Sequence, residues 1–406
     1  MRLSIDRLGH LGDAIAAGPI FVRRALPGEV VEGEVSDGRM ETPSIVTASP
    51  HRRRAPCPHY NACGGCSVMH ASDDFVAEWK VSVVQAALAS QGLSAPIRPI
   101  VTSPERSRRR ATLSGRRTKK GSVLGFHGRA SGTLVDLTDC ALLLPGLMAI
   151  LPTLRQITEL GVSRKGELSL TVTETEGGID LAVTGGKPMD TALFAGLAQI
   201  AETADLARLS WDGEPLATRR PASQRFGKAL VAPPPGSFLQ ATRDGEATLL
   251  AAIRDAIGPA RKIADLFCGA GTFSLPLAEQ AEVHAVEADA PMLAALADGW
   301  RHTQGLHRVT TEARDLFRRP LLPDELARYD ALVLDPPRAG AEAQASEIAR
   351  STAPLLAYVS CNPVTFARDA KILVGGGFTL DWLQVVDQFR WSTHTELAAR
   401  FSRKKR

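Results

Sequence analysis

The segment "DLFCGAGTFSLPLA" (residues 265–278) decides the fold class, because an apolar strand there turns on two glycines into a helix. Glycine lets the backbone come close to a ligand, and the helix N-terminus that follows favours negative charge. Strand-like and helix-like runs alternate regularly around it, from the proline-rich "PPPGSF" (233–238) to the end of the chain. This alternation predicts an α/β fold with a mostly parallel sheet and helices on both faces.

The residues around the glycine turn favour S-adenosylmethionine over a dinucleotide. Asp265 precedes the turn, and Ser274 stands where the third glycine of the dinucleotide pattern would be. A carboxylate here disfavours a pyrophosphate but suits the cationic sulfonium and amine of S-adenosylmethionine. Glu287 ends the next strand, where it can meet ribose hydroxyls, and Asp315 ends the third, where it can meet an adenine amine. NAD, or a turn without a ligand, is the alternative.

Two further strands end in proline, in "LVLDPPRAG" (332–340) and "YVSCNP" (358–363). Proline cannot extend a central strand, so the chain leaves the sheet at the carboxyl end of each strand. Ligands of an open α/β sheet bind at that end. Cys361 is therefore predicted to be a nucleophile beside a methyl donor, although most cysteines of this kind are buried packing residues.

A thiolate in this place suits methylation of a pyrimidine. C5 of a pyrimidine is not nucleophilic enough to take a methyl group from a sulfonium unaided, but a thiolate that adds to C6 makes C5 enolate-like. A base must then remove the C5 proton. The segment "HTELAARF" (394–401) supplies two candidates, His394 and Glu396. A solvated strand position is the alternative for Glu396.

Four cysteines in the first half of the chain form a candidate metal site. The stretch "CPHYNACGGC" (57–66) has the spacing Cys57-x5-Cys63-x2-Cys66, and Cys140 follows in "LTDCALL" (137–143). A short C-x2-C unit indicates metal binding in a reducing compartment. Tetrahedral zinc and an iron–sulfur cluster both fit the spacing, and His59 and His70 keep zinc open. Cys268, within the glycine turn, is interpreted as a packing residue.

The charge of the chain is uneven. The 406 residues carry a formal net charge of +4, but residues 1–130 hold 19 Lys and Arg against 11 Asp and Glu, or +8, which leaves −4 for the rest. Basic runs such as "ERSRRR" (105–110) and the tail "SRKKR" (402–406) favour a polyanionic partner. No apolar run has membrane-spanning length and the N-terminus does not resemble a secretory signal, so we expect a cytoplasmic protein without a membrane partner. We also expect a monomer.

Three segments differ in pattern. Residues 1–48 alternate short strands with glycine turns, and "FVRRALPGEVVEGEV" (21–35) predicts two strands joined by a Pro-Gly turn in a small β-barrel. Residues 49–230 mix strands and helices irregularly, with an amphipathic helix predicted at 73–92 that could pack on the catalytic domain. Residues 231–406 contain the regular α/β pattern.

Together these segments resemble the RNA uracil-5-methyltransferase family, specifically its iron–sulfur-bearing bacterial 23S ribosomal RNA branch. The resemblance implies a TRAM module at 1–48, which is an OB-like barrel that binds RNA, an α+β iron–sulfur domain at 49–230 and a Rossmann-like methyltransferase domain at 231–406. It is carried, in order along nearly the whole chain, by "CPHYNACGGC" with Cys140, "DLFCGAGTFSLPLA", "LDPPRAGA", "YVSCNPVTFARD" and "HTEL".

The resemblance also assigns roles. It implies that Cys361 is the nucleophile and Glu396 the base, with Asp335 and Arg338 orienting a uracil flipped out of its RNA stack. The implied ligands of a [4Fe–4S] cluster are Cys57, Cys63, Cys66 and Cys140. The implied cofactor-binding residues are Gln240 of the F-x-Q segment "GSFLQAT", Asp265, Phe267, Gly269, Gly271, Glu287, Asp315 and Asp335.

This sequence departs from the family pattern at two points, and three other functions remain as alternatives. Thr242 stands where relatives often carry Asn, and the N-terminal barrel looks short, so the identity of the RNA is the least determined point. A transfer RNA uracil-5-methyltransferase is one alternative. An RNA cytosine-5 enzyme is disfavoured because "LDPPRAG" lacks the cysteine of that family. A non-catalytic RNA-binding iron–sulfur protein is disfavoured by the complete set of Cys361, Glu396, Asp335 and Gln240.

Overall fold

The computed structural model describes residues 1–403, and its N-terminal unit is a sheet of six short strands. Alternate residues of the first strand, Leu3 and Ile5, enter a small core with Val22, Val31 and Met40. The strands are β1 (Arg2–Leu8), β2 (Ala14–Ala16), β3 (Ile20–Val22), β4 (Val30–Glu32), β5 (Arg39–Met40) and β6 (Ser44–Thr47), in the order β5-β3-β2-β1-β4-β6.

The predicted helix follows the N-terminal unit as α1 (Asp73–Ser90). Its first turn carries Asp73 and Asp74, where negative charge stabilises a helix, and Gly92 takes a left-handed φ of 73° just beyond its end. Val84 and Leu88 pack into the core of the C-terminal sheet. The chain therefore reaches the C-terminal unit and then returns to build the middle sheet.

The middle unit is a seven-stranded sheet covered by helices on one side. Gly161 and Gly186 allow Trp211 to pack, since a Cβ at Gly186 would lie 1.9 Å from the indole. The strands are β8 (Arg110–Arg117), β9 (Ser122–His127), β10 (Leu134–Asp136), β11 (Leu168–Thr175), β12 (Gly178–Thr184), β13 (Arg208–Trp211) and β14 (Glu214–Thr218), and the helices are α2 (Pro145–Ala149), α3 (Leu151–Gly161) and α4 (Thr191–Thr203).

The C-terminal sheet has eight strands and confirms the expected α/β architecture. A hairpin, β15 (Gln224–Phe226) and β16 (Ala229–Val231), precedes its first helix and contributes to its core. The strands are β7 (Ile97–Thr102), β17 (Lys262–Leu266), β18 (Glu282–Glu287), β19 (Val309–Ala313), β20 (Ala331–Leu334), β21 (Leu355–Ser360), β22 (Thr379–Asp387) and β23 (Glu396–Ser402), in the order β19-β18-β17-β20-β21-β23-β22-β7.

Helices cover both faces of this sheet because neighbouring strand residues alternate between two cores. Val333 and Val359 belong to one core, and Leu334 and Tyr358 belong to the other. The helices are α5 (Arg243–Ile257), α6 (Ser274–Leu277), α7 (Ala290–Arg301), α8 (Pro323–Leu326), α9 (Glu342–Arg350) and α10 (Pro363–Gly375).

Strand β23 breaks the parallel pattern, since it runs antiparallel to both β21 and β22. Strand β7, from the segment 49–230, completes this sheet by pairing in parallel with β22. The boundaries at residues 48 and 230 stay predictions. Among residues 1–403, no helix is both long and apolar enough to cross a membrane.

Candidate active site

Cys361 lies directly after β21, at the carboxyl edge of the sheet. Asn362 caps the helix α10, with its side-chain oxygen accepting the N–H of Val364 at 3.1 Å, and Pro363 occupies the first helical position. Asn362 Nδ2 also donates to the carbonyl oxygen of Arg338 at 3.0 Å. The Asn-Pro pair therefore ends the strand, starts the helix and ties the thiol segment to the loop that follows Asp335.

Strand register places Glu396 at the same edge. In the antiparallel pair of β21 and β23, Ser360 lies opposite Leu397, so Glu396 comes level with Cys361. On its other side Glu396 pairs with Val386 of β22. Because β23 runs antiparallel to β21 and β22, its first residue, Glu396, lies beside the last residues of those two strands. This places Glu396 at the carboxyl edge of the sheet.

The electrostatics of this edge are dominated by buried carboxyl groups. Burial raises the pKa of Glu396 to about 7, although a hydrogen bond from Gln388 and the charge of Lys80 oppose the rise. Burial, with the charges of Glu396 and Asp265, raises the pKa of Asp335 well above its usual range. Glu396 is therefore poised to exchange a proton near neutral pH.

The Cys361 thiol is held protonated in this state. Partial burial, followed by the charges of Glu396 and Asp335, raises its pKa to about 11, and Arg338 opposes the rise. A thiolate at neutral pH therefore requires a change in the local charge.

The glycine turn connects β17 to α6 and has two left-handed glycines, Gly269 with φ 54° and Gly271 with φ 91°. A Cβ at Gly271 would lie 2.7 Å from Leu296 Cγ, so this glycine allows close packing of α7. Phe267 also has a left-handed φ of 63°, which a bulky residue adopts at a cost of about 1–3 kcal/mol. Strain of this kind is typical of ligand-binding turns.

Acidic residues surround this turn. Asp265 is 1% exposed, and its Oδ2 accepts a hydrogen bond from Ser274 Oγ at 2.5 Å, while Oδ1 has no partner among the described residues. Burial raises its pKa to about 7. Glu287 Oε2 accepts the N–H of Gly269 at 3.1 Å. Asp315 Oδ1 accepts the N–H of Phe317 at 3.0 Å. Because β17, β18 and β19 are neighbouring parallel strands, Asp265, Glu287 and Asp315 come at or just after their carboxyl ends.

The rings of Phe267 and Phe317 pack against each other beside the glycine turn, with their centroids 5.2 Å apart. Phe317 is exposed although it is a large apolar residue.

Cys268 is buried in the core cluster of this domain, as the packing interpretation predicts.

Gln240 approaches from the segment before α5 and is 4% exposed. Its Oε1 accepts a hydrogen bond from Gln388 Nε2 at 2.5 Å. Thr242 caps α5 by accepting the N–H of Gly245 at 2.9 Å, so the residue that departs from the family pattern has a structural role here.

A cavity of about 350 Å³ opens above Cys361. The N-terminal unit contributes Arg7, His10 and Leu11 to its wall, and α1 contributes Ser82 and Val83. The contact between the N-terminal loop and the loop before β23 is close, since a Cβ at Gly12 would lie 2.9 Å from the methyl group of Thr393.

The four candidate metal-binding cysteines line a second cavity, of about 380 Å³. All four are free thiols. Burial raises the pKa of Cys63, Cys66 and Cys140, and neighbouring cysteines add to each rise. Within residues 1–403, no three His, Cys, Asp or Glu side chains converge as a single metal ion would require.

Lys80, Asp387 and Gln388 are site residues that sequence reasoning missed. Lys80 falls on the apolar face of α1, four residues after Val76 and four before Val84, and a charge on a buried helix face is a detectable signal. Asp387, which ends β22, and Gln388, which follows it, carry no such signal, because their contacts come from chain segments far away in sequence.

Known proteins resemble this chain in sequence over nearly its whole length. A family model described as tRNA (Uracil-5-)-methyltransferase matches residues 234–404. A protein of Brucella suis named as an uncharacterized RNA methyltransferase is 42% identical over 98% of this chain and 97% of its own length. The 23S rRNA (uracil(1939)-C(5))-methyltransferase RlmD of Halomonas elongata is 34% identical over 97% of this chain and 88% of its own.

A solved structure shares the whole architecture. The Pyrococcus abyssi tRNA (uracil-54, C5)-methyltransferase, in complex with S-adenosyl-L-homocysteine, aligns with a TM-score of 0.78 over 99% of both chains at 21% identity, which establishes a common fold. The family model and the relative from Halomonas elongata show that the chain belongs to the RNA uracil-5-methyltransferase family.

Proposed function

We propose that this enzyme methylates C5 of one uridine in 23S ribosomal RNA through a covalent adduct between Cys361 and C6 of the uracil. The observation that carries the proposal is the register of β21 and β23, in which Glu396 is the residue level with Cys361. A nucleophile and a base with a pKa near 7 at one edge supply both groups that the chemistry needs.

The chain's residues act in two steps. The Cys361 thiolate adds to C6, and the electron pair this places on C5 forms the new bond to the methyl group, with the sulfonium sulfur as leaving group. Glu396 then accepts the C5 proton, the C5–H electron pair restores the C5–C6 double bond, and the Cys361 sulfur departs. S-adenosylmethionine supplies the electrophilic methyl group when bound.

The residues at the glycine turn fit a cationic cofactor. Asp265 has a buried, unpartnered oxygen, and a positive charge nearby would favour its ionised form. We assign cofactor contacts to Gln240, Asp265, Phe267, Gly269, Gly271, Glu287, Asp315 and Asp335. The cation would also offset the two carboxylates that hold Cys361 protonated, so cofactor binding favours the thiolate.

The N-terminal unit is assigned to RNA binding as a TRAM-like OB barrel. The support is its position, since Arg7 and His10 line the same cavity as Cys361. Arg338 is exposed at that cavity and is assigned, with Asp335, to orienting the uracil. A base in a folded RNA has to leave its stack to reach a cavity of this kind.

We propose further that Cys57, Cys63, Cys66 and Cys140 hold a [4Fe–4S] cluster. Four thiolates of a cluster bind four different irons, so they surround a volume and do not converge on one point. The partly buried guanidinium of Arg108 lines the cavity and has no carboxylate within ion-pair distance among residues 1–403, which suits an anionic group.

His59 and His70, the two histidines that keep a zinc site open in the sequence, already have partners. His59 Nε2 accepts the N–H of Thr138 at 3.1 Å, and His70 Nδ1 lies 2.6 Å from Tyr60 Oη. An all-cysteine ligand set is therefore favoured over a mixed zinc site.

Mapping of 5-methyluridine by mass spectrometry, in RNA from cells with and without the gene, tests the function. We expect one 5-methyluridine of 23S ribosomal RNA to disappear without the gene and to return with it. Loss from the transfer RNA fraction instead would assign the enzyme to transfer RNA, the alternative that the Pyrococcus abyssi likeness favours. Unchanged 5-methyluridine in both fractions would refute the proposal.

A further inference from the structure

Lys80 is a fully buried lysine on α1, with 0% of its side chain exposed. Its Nζ donates to Asp387 Oδ1 at 2.5 Å, to the carbonyl oxygen of Phe389 at 3.1 Å and to that of His394 at 2.8 Å. An ammonium group has three donors, so all of them go to one stretch of chain, residues 387–394.

That stretch leads to the proposed base. Strand β22 ends at Asp387 and β23 begins at Glu396, so residues 388–395 form the loop between them. Lys80 binds the loop at its start, through Asp387, and again two residues before Glu396, through His394. Through Lys80, helix α1 therefore binds both ends of the loop 388–395.

We propose that Lys80 is a positioning residue that fixes the loop 388–395 and thereby aims the Glu396 carboxylate at the C5 proton of the uracil adduct. The inference rests on the proposed roles of Cys361 and Glu396. Lys80 is fully buried and does not line the Cys361 cavity, so it does not contact a substrate bound there. In this proposal its effect on the reaction passes through the loop to Glu396.

The charged groups that face Glu396 give Lys80 an electrostatic effect as well. The ammonium of Lys80 and a hydrogen bond from Gln388 lower the pKa of Glu396 against the effect of burial. Asp335 and Cys361 are its acidic neighbours, since the charge of Glu396 raises the pKa of each. Without Lys80 the pKa of Glu396 should rise, and the base should be ionised over a narrower pH range.

A buried ion pair that served stability alone would affect both steps of the reaction equally. Removing one partner of such a pair leaves an uncompensated charge and destabilises the fold as a whole. A positioning role instead predicts that C5 deprotonation slows while methyl transfer to the adduct continues. The two roles are therefore separable by kinetics.

The experiment follows both steps in single turnovers of the full-length enzyme, purified without oxygen. The substrate is total RNA from a strain without the gene, grown on [5-³H]uridine, with S-adenosylmethionine carrying a ¹⁴C-methyl group. For Lys80→Met we expect methyl incorporation close to that of the wild type, tritium release roughly ten- to hundredfold slower, and a denaturant-stable protein–RNA adduct. The midpoint of tritium release against pH should move above about 7. Equal slowing of both steps with an unmoved midpoint would overturn the proposal.

Two controls separate this outcome from a folding defect. Arg208→Met removes a largely buried cation, 11% exposed, which donates to both oxygens of Asp180 at 2.8 Å in the middle sheet, and should leave the ratio of the two steps unchanged. Lys80→Met with Asp387→Asn removes both charges, should fold better than the single variant and should still trap the adduct. Adduct trapping by Arg208→Met, or wild-type kinetics in the double variant, would refute a positioning role.

Different results would contradict the proposed function and the role of Lys80. A wild-type enzyme that makes no 5-methyluridine, or a Cys361→Ala variant that still makes it, would contradict the proposed mechanism before Lys80 is tested. Normal wild-type activity with unchanged step ratios in the Lys80 variants would contradict this inference alone.

Discussion

Gln388 Nε2 donates a hydrogen bond to Gln240 Oε1 at 2.5 Å, and both side chains are buried. Gln388 Oε1 in turn accepts the backbone N–H of Ala241 at 2.8 Å. The pair holds the segment "GSFLQAT" against the loop before β23, and Gln388 also lowers the pKa of Glu396. One glutamine therefore connects a proposed cofactor-binding residue with the proposed base.

Replacing Gln388 by alanine should shift the pH dependence of catalysis upward. The hydrogen bond from Gln388 lowers the pKa of Glu396, so its loss raises that pKa above about 7 and leaves less of the base ionised at neutral pH. A hydrogen bond to a charged group contributes about 1.5–3 kcal/mol, so the rate below pH 7 should fall roughly tenfold. Rates measured from pH 6 to 9 check this. Recovery of the wild-type rate at high pH is expected, and a uniform loss at every pH would contradict it.

Replacing Glu396 by glutamine should trap the covalent intermediate. The amide cannot accept the C5 proton, so the adduct forms and does not resolve. A denaturing gel should show a protein–RNA species with shifted mobility that accumulates with time, while multiple-turnover methylation falls by about 100-fold or more.

Cys361→Ala provides the matched control for the trapped species. The alanine variant should bind S-adenosylmethionine normally but form neither 5-methyluridine nor an adduct. The double variant Cys361→Ala with Glu396→Gln should also lack the shifted band. A shifted band in either variant would show that another residue forms the bond.

The sequence was sufficient for the α/β domain and for the residues at strand ends. Proline after β20 and β21 stops each strand, and this local chemistry places Asp335 and Cys361 at one edge without any knowledge of tertiary contacts. The sequence also offers Glu396 as a candidate base, because "HTELAARF" lies near the last predicted strand. Its place beside Cys361 depends on the antiparallel insertion of β23, which periodicity does not reveal.

Long-range pairing explains what the sequence could not predict. The two strands flanking the Pro-Gly turn at residues 27–28 form as expected, but they do not pair with each other: β3 pairs with β2 and β5, and β4 pairs with β1 and β6. Strand β7 pairs with β22 across about 285 residues of sequence, as in the pair of Val101 with Val386. The contacts of Lys80 with Asp387 and of Gln388 with Gln240 likewise join residues far apart in sequence.

Replacing Asp265 by asparagine should weaken cofactor binding and remove its pH dependence. Burial raises the pKa of Asp265 to about 7, so below that pH a cationic cofactor has to displace a proton to gain the charge interaction. For the wild type, the affinity for S-adenosylmethionine should rise from pH 6 towards pH 7.5 and then level off. The asparagine variant should bind about tenfold more weakly at pH 8, a difference of about 1.4 kcal/mol.

Calorimetric titration of the ligand-free enzyme at several pH values checks this prediction. S-adenosylhomocysteine serves as the control ligand because it lacks the sulfonium charge, and its affinity should depend less on pH. The same pH dependence in wild type and in the Asp265→Asn variant would assign the titration to another group.

The cysteine cavity should yield a brown protein when the enzyme is purified without oxygen. We expect about four iron and four sulfide per chain, as a [4Fe–4S] cluster requires. Cys140→Ser should lose most of the iron, because Cys140 comes from a segment distant from the other three ligands and closes the site. Stoichiometric zinc without iron in the wild type would contradict the cluster.

His59→Ala distinguishes an all-cysteine site from a mixed one. His59 Nε2 already accepts the N–H of Thr138 at 3.1 Å, so the ring is committed to the segment just before Cys140. The alanine variant should keep its iron, sulfide and absorption spectrum, with at most a modest loss of thermal stability. Iron loss comparable to that of Cys140→Ser would make His59 a ligand and would favour a mixed cysteine–histidine site.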